Sequence, residues 1–357
     1  MNFDKRGERR VVEAVRRIKN IYSRFGDELS EDIFSSRLLY SISGDFMHIE
    51  NMLDRTVRNS VIWIDLCERL KGMKDTKTVL FGNGIWGEIM LREFPDHPWE
   101  CIIDNAPKTS KNGKYTVDHA DTFFRQYRGE IVVISSYKNR DAMLAQCADY
   151  GVPEEKIVDA GKVMYELTEG KIYFDETVPK DLKDGLFIDG GCYDGTNTEC
   201  YIKKCHGRAA CFEPDEKNIS KITEKLAAYD GSYRIIPKAL WSIETKVNFS
   251  VEGSLGSHIT DDNTAGKGVE AASIDTEIGA EPVSLIKLDI EGAELEALRG
   301  AKETIMRYKP VLAISIYHKL EDILTIPQYI LELVPEYRLY LRHYSFSDYD
   351  TVLYAVI

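Results

Sequence analysis

The segment from Leu186 to Thr198, LFIDGGCYDGTNT, constrains the fold of this chain more than any other stretch of it. Its apolar start predicts a β-strand that ends at Asp189, and Gly190 and Gly191 follow directly. Glycine here allows a tight turn and lets the backbone approach a ligand closely. A helix predicted from about Thr196 points its free N–H groups at the same place, where they favour an anion. The segment therefore predicts an open α/β sheet with a ligand site at the carboxyl end of a strand.

Apolar stretches of strand length recur through the second half of the chain, and predicted helices separate most of them. The last two are joined by a loop too short for a helical crossover, so they must run antiparallel. The predicted strands lie at residues 186–189, 209–212, 234–237, 284–289, 311–317, 337–343 and 351–357. Five parallel strands followed by an antiparallel hairpin are the plan of class I methyltransferases, and we expect this Rossmann-like α/β fold for residues 185–357.

A smaller alternating series precedes this domain and predicts a second doubly wound α/β module at residues 76–160. Its strands are predicted at residues 78–81, 100–103, 130–136 and 156–160. Residues 161–184 would link the two. The first 75 residues place apolar side chains at helical spacing. We expect them to form helices that cap a neighbouring domain or join the chain to a second copy of itself.

The residues around the glycines favour S-adenosylmethionine as the ligand, although their spacing alone would also suit a dinucleotide. The form D-G-G-x-x-D-G differs from the dinucleotide fingerprint G-x-G-x-x-G. Asp189 could organise the loop or meet the ammonium group of the ligand. Glu213 ends the second strand 23 residues after Gly190, where a carboxylate accepts both ribose hydroxyls. The residues expected to contact this cofactor are Asp189, Gly190, Gly191, Asp194, Gly195, Thr196, Glu213, Pro214 and Asp289.

Four motifs together resemble the FkbM-type methyltransferases over residues 184–357. They are the D-G-G-x-x-D-G segment, E-P-D at 213–215, K-L-D-I-E-G-A-E at 287–294 and Y-H-K at 317–319. The resemblance implies a class I fold, S-adenosylmethionine as the donor, and O-methylation of hydroxyls of sugars, polyketides or other glycan-like molecules. It leaves the methyl acceptor open.

Three side chains near the carboxyl ends of the fourth and fifth strands are candidates for catalysis. Asp289 and Glu291 could hold an acceptor sugar, act as a base or bind a metal, whereas Glu291 and Glu294 could also be ordinary first-turn carboxylates. His318 follows the fifth strand and ordinarily titrates near neutrality, so we predict it as the base, with Asp289 as the alternative. His343 is weaker, because its strand could run the other way. Asp289, Glu291 and His318 carry no metal-ligand spacing, and no metal is expected.

The smaller module contains GNGIWG at residues 82–87, between a predicted strand and a predicted helix. Gly82, Gly84 and Gly87 satisfy G-x-G-x-x-G, and Asp104 ends the next strand 22 residues past Gly82. These four residues could form a nucleotide site, or the module could be a scaffold, since it is half the size of a usual dinucleotide domain. The alternative to methyl transfer is therefore a nucleotide-sugar-binding or NAD-dependent oxidoreductase module.

The net charge and the composition limit the classes of partner that this chain is expected to bind. The net charge of −13 disfavours nucleic acid, so we expect a small-molecule or glycan acceptor. The charged N-terminus does not predict a leader, and no stretch approaches the roughly 18 apolar residues of a membrane span. Seven cysteines without a C-x-x-C pair suggest reduced thiols and a cytoplasmic location. The polar segment at residues 251–268 is predicted to be a lid or an acceptor-binding loop.

Overall fold

The chain divides into two compact units. The computed structural model describes residues 5–178, 182, 185–249, 259–260 and 267–357. The larger unit comprises residues 1–52, 172–343 and 347–357, and the smaller unit comprises residues 53–171 and 344–346. The helical segment considered over residues 1–75 is thus divided between the units. In the described part of the chain, no helix is both long and apolar enough to cross a membrane.

Helices fill most of the chain before the first strand, as the apolar spacing there predicted. Those described are α1 (Lys5–Tyr22), α2 (Glu28–Ser43), α3 (Met47–Arg55) and α4 (Val61–Lys71), with a 3₁₀ turn at Val57–Asn59. Asp27 caps α2 by accepting the backbone N–H of Ser30 at 2.9 Å. Gly44 ends the helix in the left-handed region, at φ 68°.

The smaller unit is built on a six-stranded sheet in the order β3-β4-β2-β1-β5-β6, within residues 53–171, which are all described. Its elements are β1 (Thr78–Phe81), α5 (Ile85–Glu93), β2 (Trp99–Asp104), β3 (Lys111–Asn112), β4 (Tyr115–His119), α6 (Ala120–Phe124), β5 (Ile131–Ile134), α7 (Arg140–Asp149), β6 (Ile157–Asp159) and α8 (Ala160–Leu167), with a 3₁₀ turn at Glu154–Lys156. Neighbouring strands are parallel except at β3. β3 and β4 were not predicted, because only Val117 of β4 is buried and the apolar signal is weak.

The larger unit is built on a sheet of seven strands among the residues described, in the order β16-β17-β15-β14-β7-β8-β9. Its elements are β7 (Leu186–Gly190), α9 (Thr196–Cys205), β8 (Arg208–Phe212), α10 (Glu216–Lys225), β9 (Tyr233–Ile236), β10 (Ala239–Leu240), β11 (Thr245–Phe249), β12 (Ile259–Thr260), β13 (Lys267–Ala272), α11 (Ile274–Ile278), β14 (Val283–Leu288), α12 (Glu294–Arg299), α13 (Lys302–Tyr308), β15 (Val311–Ser315), α14 (Asp322–Leu333), β16 (Arg338–His343) and β17 (Thr351–Val356), with a 3₁₀ turn at Ala227–Tyr229. Five strands are parallel, and the last two form an antiparallel hairpin. This confirms the predicted class I methyltransferase plan.

The hairpin corrects one expectation about strand direction. β17 lies between β15 and β16 and is antiparallel to both, so β16 runs in the same direction as the five parallel strands. His343 therefore does lie at the carboxyl end of the sheet. Its side chain is buried, however, and Nδ1 is hydrogen-bonded to Oγ1 of Thr351 at 2.9 Å.

A small sheet of β10, β13, β11 and β12 follows the third strand of the main sheet, among the residues described. β11 pairs antiparallel with both β12 and β13. Of the predicted lid at residues 251–268, the parts at 251–258 and 261–266 lie outside the described residues. The described parts, residues 259–260 and 267–268, belong to the strands β12 and β13.

The N-terminal segment covers the edge strand β16. The backbone N–H of Gly26 donates to the carbonyl of Leu339 at 2.9 Å, and Oγ of Ser30 accepts the N–H of Leu341 at 2.9 Å. The guanidinium of Arg342 pairs with Asp27 at 2.6 Å. Because an uncovered edge would leave these backbone groups unpaired, the contacts explain why residues 1–52 belong to the larger unit.

Candidate active site

The glycine loop at residues 190–195 joins β7 to α9 and lies against the end of β14. Gly191 adopts φ 74°, and a Cβ atom there would lie 1.9 Å from the carbonyl oxygen of Asp289. A Cβ atom on Gly190 would lie 2.7 Å from the side-chain carbons of two leucines. Gly195 adopts φ 83° and precedes the first turn of α9. Only glycine fits at Gly191, so the loop backbone follows the carboxyl edge of the sheet closely.

A buried ion pair lies beneath this loop. Nζ of Lys287, on β14, is 3.1 Å from Oδ1 of Asp189, and both side chains are almost completely buried. The amine also donates to the carbonyls of Gly190 at 3.0 Å and Gly191 at 2.7 Å. Oδ2 of Asp189 accepts the hydroxyl of Thr198 at 2.8 Å. Burial alone would lower the pKa of Lys287, but the neighbouring carboxylates outweigh it and raise that pKa. Sequence reasoning missed Lys287, although a lone lysine in the apolar stretch SLIKL was a usable signal.

Glu213 connects the end of β8 to the glycine loop. Its Oε2 accepts the backbone N–H of Tyr193 at 3.0 Å, and its Oε1 accepts that of Asp215 at 2.9 Å. Burial raises the pKa of Glu213, and these two hydrogen bonds act against the rise. The side chain of Asn218 also donates to this carboxylate. Pro214 is half-buried beside it.

Asp194 and Thr196 fix the start of α9. Oδ1 of Asp194 accepts the backbone N–H of Thr196 at 3.0 Å, and Oδ2 lies 2.7 Å from Nζ of Lys225. Lys225, on α10, also hydrogen-bonds Oγ1 of Thr196. These contacts join α10 to the first turn of α9, so both residues organise the loop from within.

An acidic cluster surrounds His318 at the carboxyl ends of β14 and β15. We use this name for Asp289, Glu291, Glu294 and His318. Nδ1 of His318 is 2.9 Å from Oε1 of Glu294, and Nε2 is 3.4 Å from Glu291 and 3.6 Å from Asp289. Glu294 is fully buried, and its Oε1 also accepts the backbone N–H of Ile290 at 2.8 Å. The structure thus brings the three predicted catalytic residues together and adds Glu294, which we had considered an ordinary helix-start carboxylate.

The carboxylates change the charge state expected for His318. Burial by itself would lower the pKa of His318, but the hydrogen bond and charge of Glu294, with Asp289 and Glu291, raise it to about 9. At neutral pH the ring therefore carries a proton, contrary to the ordinary value assumed from the sequence. Burial would raise the pKa of Asp289, but the charges of Lys287 and His318 lower it.

Tyrosines close the other side of Asp289. The hydroxyl of Tyr317 donates to Oδ1 of Asp289 at 3.0 Å. Tyr173 is buried with its hydroxyl 3.0 Å from Oγ of Ser315 and its ring centroid 5.3 Å from Nζ of Lys287. Tyr173 belongs to the segment expected to be a linker, and its φ of 66° is rare for a side chain of this size. No local sequence pattern marks it.

In the smaller unit, the residues of GNGIWG form a compact turn between β1 and α5. Gly82 adopts φ 112°, and a Cβ atom on Gly87 would lie 2.1 Å from the carbonyl oxygen of Gly82. Gly84 precedes the helix with open space around its Cβ position. Oδ2 of Asp104 accepts the backbone N–H of Asn83 at 2.8 Å. The four residues predicted for a nucleotide site therefore lie together.

Residues 189–347 match the family model described as the methyltransferase FkbM domain. The 2-O-methyltransferase NoeI of Sinorhizobium fredii is 23% identical over 179 residues, which are 44% of this chain and 73% of that protein. A crystal structure of a methyltransferase FkbM from Methylobacillus flagellatus is 18% identical, with a TM-score of 0.48 over 92% of this chain and 99% of the other. The glycine loop and the acidic cluster both lie within the residues that match the FkbM domain.

Proposed function

We propose that the larger unit transfers a methyl group from S-adenosylmethionine to a hydroxyl of a sugar, a glycan precursor or a similar small molecule. The observation that carries the proposal is the convergence of the confined glycine loop, the buried carboxylate of Glu213 and the acidic cluster at one edge of the sheet. The relative from Sinorhizobium fredii bears the name of a 2-O-methyltransferase, which supports oxygen as the methylated atom.

The residues around the glycine loop fit the polar groups of this donor. The N-terminus of α9 favours the carboxylate of the methionine part, and Gly191 lets the backbone approach it. Glu213 ends the second strand beside the loop, and its carboxylate is assigned to the ribose hydroxyls of the donor. Asp189 is already paired with Lys287 at 3.1 Å, so we assign it to supporting the loop and not to the ammonium group of the donor.

The acceptor is assigned to the acidic cluster, because ligands of open parallel sheets bind at the carboxyl ends of the strands. When bound, S-adenosylmethionine supplies a methyl group on a sulfonium sulfur, which keeps the electron pair of the broken bond. Asp289, or His318 in the fraction of molecules whose ring is neutral, takes the proton of the acceptor hydroxyl as the oxygen–carbon bond forms. Glu291, at the rim, holds neighbouring hydroxyls of the acceptor. Variants of both candidates are needed to decide which of them is the base.

Calorimetry with S-adenosylhomocysteine and with NAD tests the donor directly. We expect S-adenosylhomocysteine to bind once per chain. A screen of sugars and sugar nucleotides with isotope-labelled S-adenosylmethionine should then give a product methylated on oxygen. If the protein does not bind S-adenosylhomocysteine, the proposal is wrong.

A second candidate activity concerns the smaller unit, which could bind a nucleotide or nucleotide-sugar at Gly82, Gly84, Gly87 and Asp104. The observation that favours it is the open space at Gly84, where the backbone before α5 could approach a phosphate. The NAD titration above, repeated with a nucleotide-sugar, separates this activity from that of the larger unit. Absence of heat with both ligands would leave the module as a scaffold.

A further inference from the structure

One carboxylate oxygen of the acidic cluster is buried and unsatisfied. Glu294 is fully buried, and its Oε1 is hydrogen-bonded to the backbone of Ile290. Its Oε2 has no hydrogen-bond partner among the described residues. Leaving a carboxylate oxygen unpaired in the interior is costly, and such an atom in a native fold usually marks a bound water or ion.

His318 presents a second unmatched atom close by. Only 9% of its side chain is exposed, and Nδ1 lies 2.9 Å from Oε1 of Glu294. Nε2 makes no hydrogen bond within the described residues, although Glu291 and Asp289 lie 3.4 and 3.6 Å away. Carboxylate oxygens thus lie beside both ring nitrogens, and such oxygens are the ligands that hard cations prefer.

We propose that Asp289, Glu294 and His318 bind one divalent metal ion of the Mg²⁺ or Mn²⁺ type. One ligand atom from each residue lies within 4.8 Å of the ligand atoms of the other two. Two ligand atoms on opposite sides of such an ion are about 4.2 Å apart, so a small contraction brings the three onto it. Carboxylate oxygens with a single imidazole suit these hard cations. Asp289 and Glu294 follow β14 and His318 follows β15, so the three residues form no continuous ligand-spacing motif.

The charges around the cluster favour the same conclusion. Three carboxylates face one imidazole, and the nearest buried amine, Lys287, is already paired with Asp189. Glu291 adds negative charge at the rim, where its side chain is 33% exposed. The role of the ion rests on the proposed function. It would hold the acceptor oxygen and favour its ionised form, so Asp289 and His318 would act as ligands instead of as the base.

Titration with Mn²⁺ alone, followed by the electron paramagnetic resonance signal of the free ion, tests the site without the methyl donor. We expect one Mn²⁺ per chain in the wild type. Asp289→Asn and Glu294→Gln should each weaken binding at least about tenfold. Glu296→Gln is the matched control, because this residue lies on the same helix but pairs with Arg299 and should leave binding unchanged. If Glu294→Gln does not fold, Asp289→Asn still tests the site, because the side chain of Asp289 is partly exposed and its replacement should be tolerated by the fold.

Measurements of turnover and of donor binding distinguish a failure of the metal site from a failure of the proposed function. Turnover should be lost in EDTA and restored by Mn²⁺, while the affinity for S-adenosylhomocysteine stays the same. A wild-type protein that binds no Mn²⁺ at millimolar concentration, or variants that bind it as the wild type does, would overturn the metal site. A protein that binds Mn²⁺ but not S-adenosylhomocysteine would overturn the donor site alone.

Discussion

The glycine loops of the two units are held by closely similar backbone contacts. Glu213 in the larger unit accepts the N–H of Tyr193 in its loop and the N–H two residues after itself, at 3.0 and 2.9 Å. Asp104 in the smaller unit does the same with Asn83 and Ala106, at 2.8 Å each. In both units the second strand of the parallel sheet thus ends in a carboxylate that fixes the loop after the first.

The units differ in the residue that supports the loop from the strand on the other side of the first strand, which is β14 in the larger unit and β5 in the smaller one. In the larger unit Lys287 donates to two carbonyls of the loop and is paired with the buried Asp189. At the corresponding place in the smaller unit, the hydroxyl of Ser135 donates to the carbonyls of Phe81 and Gly82, at 3.0 and 3.4 Å. The same backbone geometry is therefore supported by a charged pair in one unit and by a neutral hydroxyl in the other.

The comparison teaches that the glycine pattern specifies the shape of a loop but not its chemistry. Both loops turn tightly between a strand and a helix, and both depend on glycines at positive φ. The larger unit alone is assigned an acidic cluster beyond the loop, built around Asp289 and His318. The charged side chains at the strand ends therefore distinguish the proposed donor site from a scaffold.

Replacing Lys287 and Ser135, the two side chains that support the loops, should give the largest difference between the units. Lys287→Met leaves Asp189 buried and unpaired, so it should lower the free energy of unfolding by about 3–5 kcal/mol. Ser135→Ala removes a neutral hydrogen bond and should cost only about 1 kcal/mol. Urea unfolding followed by circular dichroism measures both. The double variant Lys287→Met with Asp189→Asn should recover part of the loss, and equal losses for the two single variants would contradict the distinction.

Replacing His318 tests the role of the acidic cluster, which is assigned to the larger unit alone. His318→Ala should lower turnover at least about 100-fold, because the acceptor proton is no longer taken or the acceptor no longer held. The affinity for S-adenosylhomocysteine, measured by calorimetry, should stay the same. If His318→Ala turns over at the wild-type rate while Asp289→Asn is inactive with the donor still bound, the base is Asp289.

The smallest expected effect is the difference in donor affinity between variants of Glu213 and Asp104, the carboxylates at the two strand ends. Glu213→Ala should weaken the binding of S-adenosylhomocysteine at least tenfold, because it would remove the two hydrogen bonds proposed to the ribose, worth about 1.5–3 kcal/mol each. Asp104→Ala is the matched control and should leave this affinity unchanged. If the affinity of Glu213→Ala is unaltered, Glu213 does not bind the ribose. If both variants lose affinity equally, the loss reflects destabilisation of the fold and not a lost contact with the donor.

Local sequence patterns were sufficient to predict most strands of the larger sheet and the residues of its glycine loop. Each strand predicted in the larger sheet is present to within two residues at either end. Buried parallel strands are continuous apolar runs between polar turns, so the chain itself marks them. Gly191 and Glu213 could be identified because their places follow from strand ends alone. The exceptions in the fold, β3 and β4, expose most of their side chains.

Only the tertiary structure determined which charged side chains lie close enough to form pairs. Lys287 on β14 pairs with Asp189 on β7, and Glu294 at the start of α12 pairs with His318 after β15. Tyr173 comes from a segment without a recognisable sequence pattern. The pKa of His318, raised to about 9, could not be read from its neighbours in the chain. Periodicity reports which face of an element is buried, whereas electrostatic energies depend on distances between atoms far apart in sequence, and only the folded chain sets those distances.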